Sequence, residues 1–353
     1  MREAGYACLI VAGNGTIGAY GAMQYLTGYF PTARGAFALL NLDAPPMLLV
    51  RSDVERRAVL AEQAATCPVL VTNASGSDYA AAAGAAARKA RPGRIGVVGF
   101  QCMTAASGTA LSTALGGSHA ADATSILADV RSIKTLDDAA HLRAAAEIAE
   151  AGLSFALSSV RAGMMECELA GLVEGVVRGR GAQLVLVYVS RGEFTGRRPL
   201  ARRIARDDLL SVFVELAGAT GHWVELGAVI AMPKASDGQT RAVPCLESLR
   251  RGARALSAQA TAGSVAAAML DVLSAAQRVP SINLGHGVGI DEEPPWILEG
   301  SDAPIRCPAA IALHPSGTDA TRADGCAVAN TYLVHPDRVE PLSELPHALH
   351  VAT

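Results

Sequence analysis

The chain has 353 residues, half of them hydrophobic and 18% charged, with a formal charge of −3. That is enough apolar material for two domains with cores of their own and too little charge for a disordered chain. The mild acidity and the 4% aromatic content exclude a basic nucleic-acid footprint and a base-stacking platform.

Mean hydropathy is +0.27. The apolar runs over residues 7–12 and 184–189 are nevertheless far shorter than the roughly 20 residues of a membrane span, so no membrane partner is expected. The chain opens on mixed charge, Met1-Arg2-Glu3-Ala4, and reads as cytoplasmic. Its seven cysteines are scattered, odd in number and never at CxxC spacing. They read as small buried thiols, not as a disulfide framework or a zinc ribbon.

Residues 7–12 predict a short strand. The string Gly13-Asn14-Gly15-Thr16-Ile17-Gly18 follows and matches GxGxxG, and residues 37–42 predict a second strand ending at Asp43. This imitates a dinucleotide-binding unit. Two features argue against it. The segment between the strands is interrupted by Gly18, Gly21, Gly28, Pro31 and Gly35, which a crossover helix tolerates poorly. The second strand turns at Asp43-Ala44-Pro45-Pro46 into a further strand over 47–51, which makes an antiparallel hairpin. A helix over 53–66, a strand over 68–72, an Ala-rich helix over 77–90, a turn at Pro92-Gly93, a strand over 95–100 and a helix over 109–115 complete an α/β domain spanning residues 1–130.

In the remainder, residues 131–353, Thr135 is placed to cap a helix over 136–159, with Asp137 and Asp138 in its first turn. A helix over 166–180 follows, then strands over 184–190 and 209–216. A strand over 222–232 faces the latter across 217–221. One long helix over 246–277 and strands over 311–315 and 326–334 close the chain. This order predicts an α+β domain with antiparallel pairing.

Several strings fall in a telling order: Tyr25-Leu26-Thr27-Gly28-Tyr29, Arg131-Ser132-Ile133-Lys134, a long helix with Ala144, Ala149 and Gly152, Gly221-His222-Trp223-Val224-Glu225, Gly285-His286-Gly287-Val288-Gly289, Glu293-Pro294-Pro295, His314-Pro315 and Leu333-Val334. Over roughly residues 17–345 the chain resembles the creatinase, aminopeptidase P and prolidase superfamily. The resemblance implies an α/β N-terminal domain before an α+β "pita-bread" domain with an antiparallel curved sheet. It also implies a homodimer in which the first domain reaches over the partner's active site, where Tyr25 would contribute.

Metalloenzymes of that superfamily hold two ions with two Asp on a hairpin, one His in the GHG box and two late Glu; bridging carboxylates keep such ions about 3.5–4 Å apart and activate one water. By resemblance, Glu215 and Glu225 stand for the Asp pair. Their separation is one short of the usual spacing, which leaves Phe213 as the rival of Glu215. His286 stands for the GHG histidine, His314 for the first late Glu, and Ala329 for the last, with Asn330 beside it. Alanine ligates nothing, so the resemblance implies a groove without metal or other cofactor, as in creatinase and ectoine hydrolase. The general-base His of creatinase has no counterpart in the loop Arg191-Gly192-Glu193-Phe194-Thr195-Gly196-Arg197-Arg198-Pro199. The reaction type therefore stays open.

Two adjacent carboxylates repel, so one of Glu215 and Glu225 is expected to hold a proton beside an anion, or the pair to clamp a substrate cation; the alternative is that each is paired with an arginine. His286 is the first candidate for general acid and base; the alternative is a buried structural histidine bonded to a carbonyl. His314, held extended by Pro315, is either a second such group or a filler of the space a carboxylate would take. His222 is a candidate lining residue of the same groove. Arg191, Arg197 and Arg198 are candidate anchors for a substrate carboxylate. His119, His141, His335, His347 and His350 read as surface residues. The expected function is metal-independent hydrolysis of a C–N bond in a small nitrogen-containing molecule that bears a carboxylate. The alternatives are a proton-transfer lyase, isomerase or cyclase, a mononuclear metal-dependent Xaa-Pro-type peptidase using Glu215, Glu225, His286 and His314, and an inactive binding module.

Overall fold

The computed structural model describes every residue except 33, 62–64, 91–92, 117–119, 323 and 353. The chain forms two units, Met1–Arg131 and Ser132–Thr353.

The first unit runs β1 (Tyr6–Gly13), α1 (Gly21–Thr27), β2 (Ala36–Asn41), β3 (Met47–Val50), α2 (Asp53–Ala61), β4 (Val69–Val71), α3 (Gly76–Ala90), β5 (Arg94–Val98), α4 (Ala105–Ala114), β6 (Ala121–Asp122) and α5 (Thr124–Ser132). The strands form one sheet in the order β4-β3-β2-β1-β5-β6. Only β2 is antiparallel to its neighbours. Alternation along β1 sends Cys8, Ile10 and Ala12 to a layer with Ala80, Ala83 and Leu111, and Leu9 and Val11 to one with Met23, Val59 and Leu127. Both faces are thus covered, which is why the strands read as continuous apolar runs.

Because β1 pairs antiparallel with β2, residues 13–18 are not the loop of a parallel βαβ unit. Gly13 and Gly15 answer a packing need instead. A Cβ on Gly13 would lie 2.8 Å from the Met23 Cβ, and one on Gly15 2.4 Å from the Pro31 carbonyl oxygen. The helix expected over 53–66 is described to Ala61; its residues 62–64, Pro92 of the expected turn and His119 lie outside the described residues. The strand β6 and the helix α5 were not anticipated.

The second unit runs α6 (Leu136–Ser159), α7 (Glu166–Arg178), β7 (Leu184–Arg191), β8 (Leu209–Ala217), β9 (Trp223–Ala231), α8 (Gly238–Ala255), α9 (Ala262–Ala275), β10 (Gly285–Gly289), β11 (Asp291–Trp296), β12 (Ala309–Leu313), β13 (Ser316–Thr318), β14 (Gly325–Ala327), β15 (Asn330–Val334), β16 (Val339–Pro341) and β17 (Leu349–Val351). One sheet has the order β17-β9-β8-β7 and a second the order β11-β10-β12-β15-β16; β13 and β14 form a separate pair. All these pairings are antiparallel except β17 with β9. The first two sheets touch through bridges at Gly227 with Ala329 and His222 with Ile290.

Helix α6 begins where its cap predicted. Thr135 Oγ1 accepts the Asp138 N–H at 3.1 Å, and Asp138 Oδ2 accepts the Thr135 N–H at 2.8 Å, a capping box. Its buried stripe of Ala139, Leu142, Ala146, Ala149, Leu153 and Ala156 repeats every three or four residues. Gly152 lies on that stripe because a Cβ there would meet Val177 Cγ1 at 2.5 Å.

Two expectations are corrected. The single helix over 246–277 is two helices, α8 and α9. Leu256 leaves the helical region at φ −63°, ψ 130°, and Thr261 caps α9 by accepting the Ser264 N–H at 3.1 Å. Alanine-rich composition favours helix throughout and hid the break. The strand over 326–334 is β14 and β15, divided where Ala329 turns to pair with Gly227. No described helix is long and apolar enough to cross a membrane.

Candidate functional site

The site is built on β8 and β9. Their register sets Glu215 directly opposite Glu225, and Phe213 opposite Gly227. On β7, Tyr188 faces Phe213. Since alternate residues share a face, Tyr188, Phe213, Glu215 and Glu225 line one side of this sheet. From the second sheet come His286 on β10 and His314, which follows β12 and donates its N–H to Leu284 O at 3.0 Å.

Three buried groups converge. Glu225 Oε1 lies 3.2 Å from His286 Nε2, and Glu225 Oε2 lies 3.8 Å from His314 Nε2. The two imidazole centroids are 5.2 Å apart. The indole N–H of Trp223 donates to Glu225 Oε1 at 2.9 Å. Glu225 is 2% exposed and each histidine 4%. The carbonyl of Gly287 can only accept, and His286 Nδ1 lies 3.0 Å from it, so the proton of the neutral ring sits on Nδ1 and Nε2 faces Glu225.

The charges follow from this arrangement. Burial alone would raise the Glu225 carboxyl, but the charge of His286 and the bond to it prevail and hold it below the usual carboxylate range. Burial would likewise lower His286, yet Glu225 lifts it to about 9. Burial pushes His314 down to about 4 against the pull of Glu225. Burial and the charges of Glu225 and Glu292 push Glu215 well above the usual range. The cluster therefore holds an imidazolium–carboxylate pair and a neutral imidazole, with Glu215 biased toward its protonated form. Glu292, whose Oε1 is 4.0 Å from His286 Nε2, was missed in the sequence; its signal was strand alternation directly after the glycine box.

The rivalry between Glu215 and Phe213 resolves in the register. Phe213 packs with Phe194, Ala327 and Ala329 in an apolar cluster, its ring stacked 4.2 Å from that of Phe194. Asn330 is turned away, donating through Nδ2 to Ser343 O at 2.7 Å and to His347 Nε2 at 2.9 Å. His347, expected on the surface, also bonds the Tyr332 hydroxyl at 3.0 Å.

Other candidates lie in different networks. The guanidinium of Arg197 reaches Glu166 at 2.9 Å, that of Arg202 reaches it at 2.8 Å, and the Leu200 N–H completes the set at 3.1 Å. Glu166 is 1% exposed, so these bonds neutralise a buried carboxylate and pin the loop to the start of α7. Arg191 pairs with Asp208 at 2.9 Å. Arg191 and Arg197, expected as substrate anchors, thus each hold a protein carboxylate; Arg198 is exposed. His222 is likewise engaged: its Nε2 lies 3.0 Å from Asp138 Oδ1 and its Nδ1 2.9 Å from Thr220 Oγ1, which ties the hairpin turn to the cap of α6. Tyr25 is on α1, 38% exposed.

The five-ligand, two-ion set does not fit these residues, because the place of its last carboxylate is taken by Ala329, whose methyl group packs in an apolar cluster with Phe213. A single divalent cation does fit. Glu225, His286 and His314 each offer a ligand atom, all within 4.8 Å of one another. The anchored Nδ1–H of His286 leaves Nε2 as the ligating atom, as metal-binding histidines require.

Residues 1–133 match the model of the creatinase/prolidase N-terminal domain, and residues 140–336 that of metallopeptidase family M24. Solved structures share the fold over nearly the whole chain. The X-Pro aminopeptidase from Thermotoga maritima MSB8 is 18% identical, with 98% of each chain covered and a TM-score of 0.81. The prolidase from Pyrococcus horikoshii OT3 is 17% identical, with 98% of this chain and 96% of that one covered and a TM-score of 0.80. The Xaa-Pro dipeptidase from Bacillus anthracis is 19% identical, with 99% and 96% covered and a TM-score of 0.81. No curated protein matches the chain. With more than half of its length in the second match, this chain belongs to metallopeptidase family M24, within the pita-bread superfamily of creatinases, aminopeptidases P and prolidases.

Proposed function

We propose that this chain hydrolyses a C–N bond in a small nitrogen-containing molecule by proton transfer within the Glu225, His286 and His314 cluster. The observation that carries this reading is the 3.2 Å contact between Glu225 Oε1 and His286 Nε2, with Nδ1 anchored on Gly287. The charged pair keeps a proton on Nε2, ready for a leaving nitrogen. His314 stays neutral and can take a proton from the attacking water. The water oxygen bonds to carbon, the C–N bond breaks, and its electron pair takes the His286 proton. Glu292, 4.0 Å from His286 Nε2, favours a substrate whose nitrogen is basic. Arg198, exposed on its loop, is the candidate anchor for a carboxylate on the substrate. A homodimer is proposed with it, its mass measurable by sedimentation.

A second reading has its own support in the three donor atoms within 4.8 Å of one another. In it Glu225, His286 and His314 hold one divalent cation, which would supply Lewis-acid polarisation of the scissile group. The X-Pro aminopeptidase, prolidase and Xaa-Pro dipeptidase that share the fold make Xaa-Pro dipeptides the substrates to try first for it.

One experiment separates the two. Protein purified without chelator is assayed for metal content and for turnover of amide, amidine and cyclic amidine derivatives of amino acids and of Xaa-Pro dipeptides. Turnover of the non-peptide compounds, unchanged by dialysis against chelator, is the expected result. Turnover confined to dipeptides and lost on chelation would replace the first reading with the second.

A further inference from the structure

Two side chains stand beside the Glu225, His286 and His314 cluster without being buried in it. Strand register places them. His286 on β10 is opposite Trp296 on β11, and Val288 is opposite Glu292. Alternate residues of a strand share a face, so Glu292 and Trp296 stand on the face that carries His286. The distances agree. Glu292 Oε1 is 4.0 Å from His286 Nε2, and the Trp296 and His286 ring centroids are 5.1 Å apart. Trp296 is 40% exposed and the Glu292 side chain 25%, so this pair is open to an incoming molecule where His286 is not.

Charge on this face is unbalanced. Glu293, the next residue on β11, has its ion pair with Lys134. Glu292 has no such partner. Among the described residues no lysine or arginine pairs with Glu215, Glu225 or Glu292, and the Glu292 carboxylate accepts no hydrogen bond. His286, the cation it faces, lies closer to Glu225, at 3.2 Å. Burial raises the Glu292 carboxyl; the charge of His286 opposes this, and those of Glu225 and Asp291 add to it. That is the behaviour of an anion short of a counter-charge. Such a carboxylate gains short, charge-assisted bonds from a cation that carries N–H groups. An indole face nearby adds cation–π attraction for the same ligand.

We infer that Glu292 and Trp296 form a binding subsite for a cationic nitrogen group with N–H donors, a guanidinium or an alkylammonium, carried by the substrate of the neighbouring cluster. Its part in catalysis rests on the reading of Glu225, His286 and His314 as the reaction centre. The carboxylate takes the N–H groups and the charge, and the indole takes the face of the cation. Trp296 is thereby a specificity-determining residue.

The test is calorimetric titration of the full chain with phenylguanidinium, with its neutral isostere phenylurea, and with phenyltrimethylammonium, a cation without N–H donors. Phenylguanidinium is expected to bind saturably and at least tenfold tighter than either of the others. Glu292→Gln should weaken it at least tenfold and Trp296→Leu at least threefold. Both variants should keep their melting temperature, since both side chains reach solvent. Saturable binding of phenylguanidinium by a protein that turns over no compound would keep the subsite and remove the hydrolytic reading. Turnover of uncharged amides at equal rates with and without Glu292→Gln, in a protein that does not bind phenylguanidinium, would keep the hydrolytic reading and overturn the subsite. Equal affinity for phenylurea or phenyltrimethylammonium, or unchanged affinity in either variant, would overturn it as well.

Discussion

Gly227 and Ala329 exchange both backbone hydrogen bonds, Gly227 N–H to Ala329 O at 2.8 Å and Ala329 N–H to Gly227 O at 3.0 Å. This bridge links the β8–β9 hairpin to the sheet that carries the two histidines. It also fixes the Ala329 methyl beside Phe213 and Phe194. Where the superfamily resemblance calls for a last carboxylate, the chain has built apolar packing.

Ala329→Glu should therefore destabilise the protein and not restore a second metal position. The carboxylate would enter an apolar cluster with no cation in it, at a cost of several kcal/mol. A fall in the urea midpoint without an added equivalent of bound metal is expected. A stable variant that takes up two ions would show that the cluster is not what fills the position.

Glu225→Gln keeps the shape of the side chain and removes the charge that holds His286 protonated. We expect kcat to fall on the order of 10²-fold or more, the scale of a lost acid–base group, in a protein that still unfolds cooperatively, because His286, unlike a lysine, can shed its proton once the charge beside it is gone. A melting temperature that collapses together with kcat would make Glu225 structural.

Lys134 and Glu293 form an ion pair with side chains only 3% and 2% exposed. Removing one partner strands a buried charge, so Lys134→Met or Glu293→Gln should each cost about 3–5 kcal/mol. Lys134→Met combined with Glu293→Leu should recover much of that loss, since replacing both charges by apolar groups is often neutral. Additive losses in chemical denaturation would contradict the pairing.

Asp138 ties the cap of α6 to His222. Burial would raise its carboxyl, but the bonds from His222 and Thr135 prevail and hold it below the usual range. A carboxyl lowered in the folded state contributes stability above its unfolded value of about 3.9, and that contribution fades as pH falls through the folded value. Asp138→Asn should cost about 1–2 kcal/mol at pH 7, from the cap and the buried bond, and progressively less below pH 4. Urea midpoints of both proteins at pH 7 and pH 3 would check this; a difference that stays constant with pH would refute it.

The elements with strong local signals were legible in the amino-acid order. Helix α6 could be placed from Thr135, its acidic first turn and its apolar repeat. The hairpin of β8 and β9 followed from two apolar runs around a short turn. The α8–α9 break was not legible, because alanine favours helix on both sides and the cap at Thr261 has no strong pattern around it.

Composition and motif order by themselves determined the two-domain plan, the superfamily resemblance and the candidacy of Glu225, His286 and His314, since these rest on residue type and spacing along one chain. Tertiary structure decided which candidates meet. Strand register set Glu215 against Glu225 and sent Phe213 to Ala329, and a slip of one residue would have turned every side chain to the other face. It also decided that Arg191, Arg197 and His222 answer to Asp208, Glu166 and Asp138, because the charge a buried carboxylate recruits depends on distances through space that residue order does not carry.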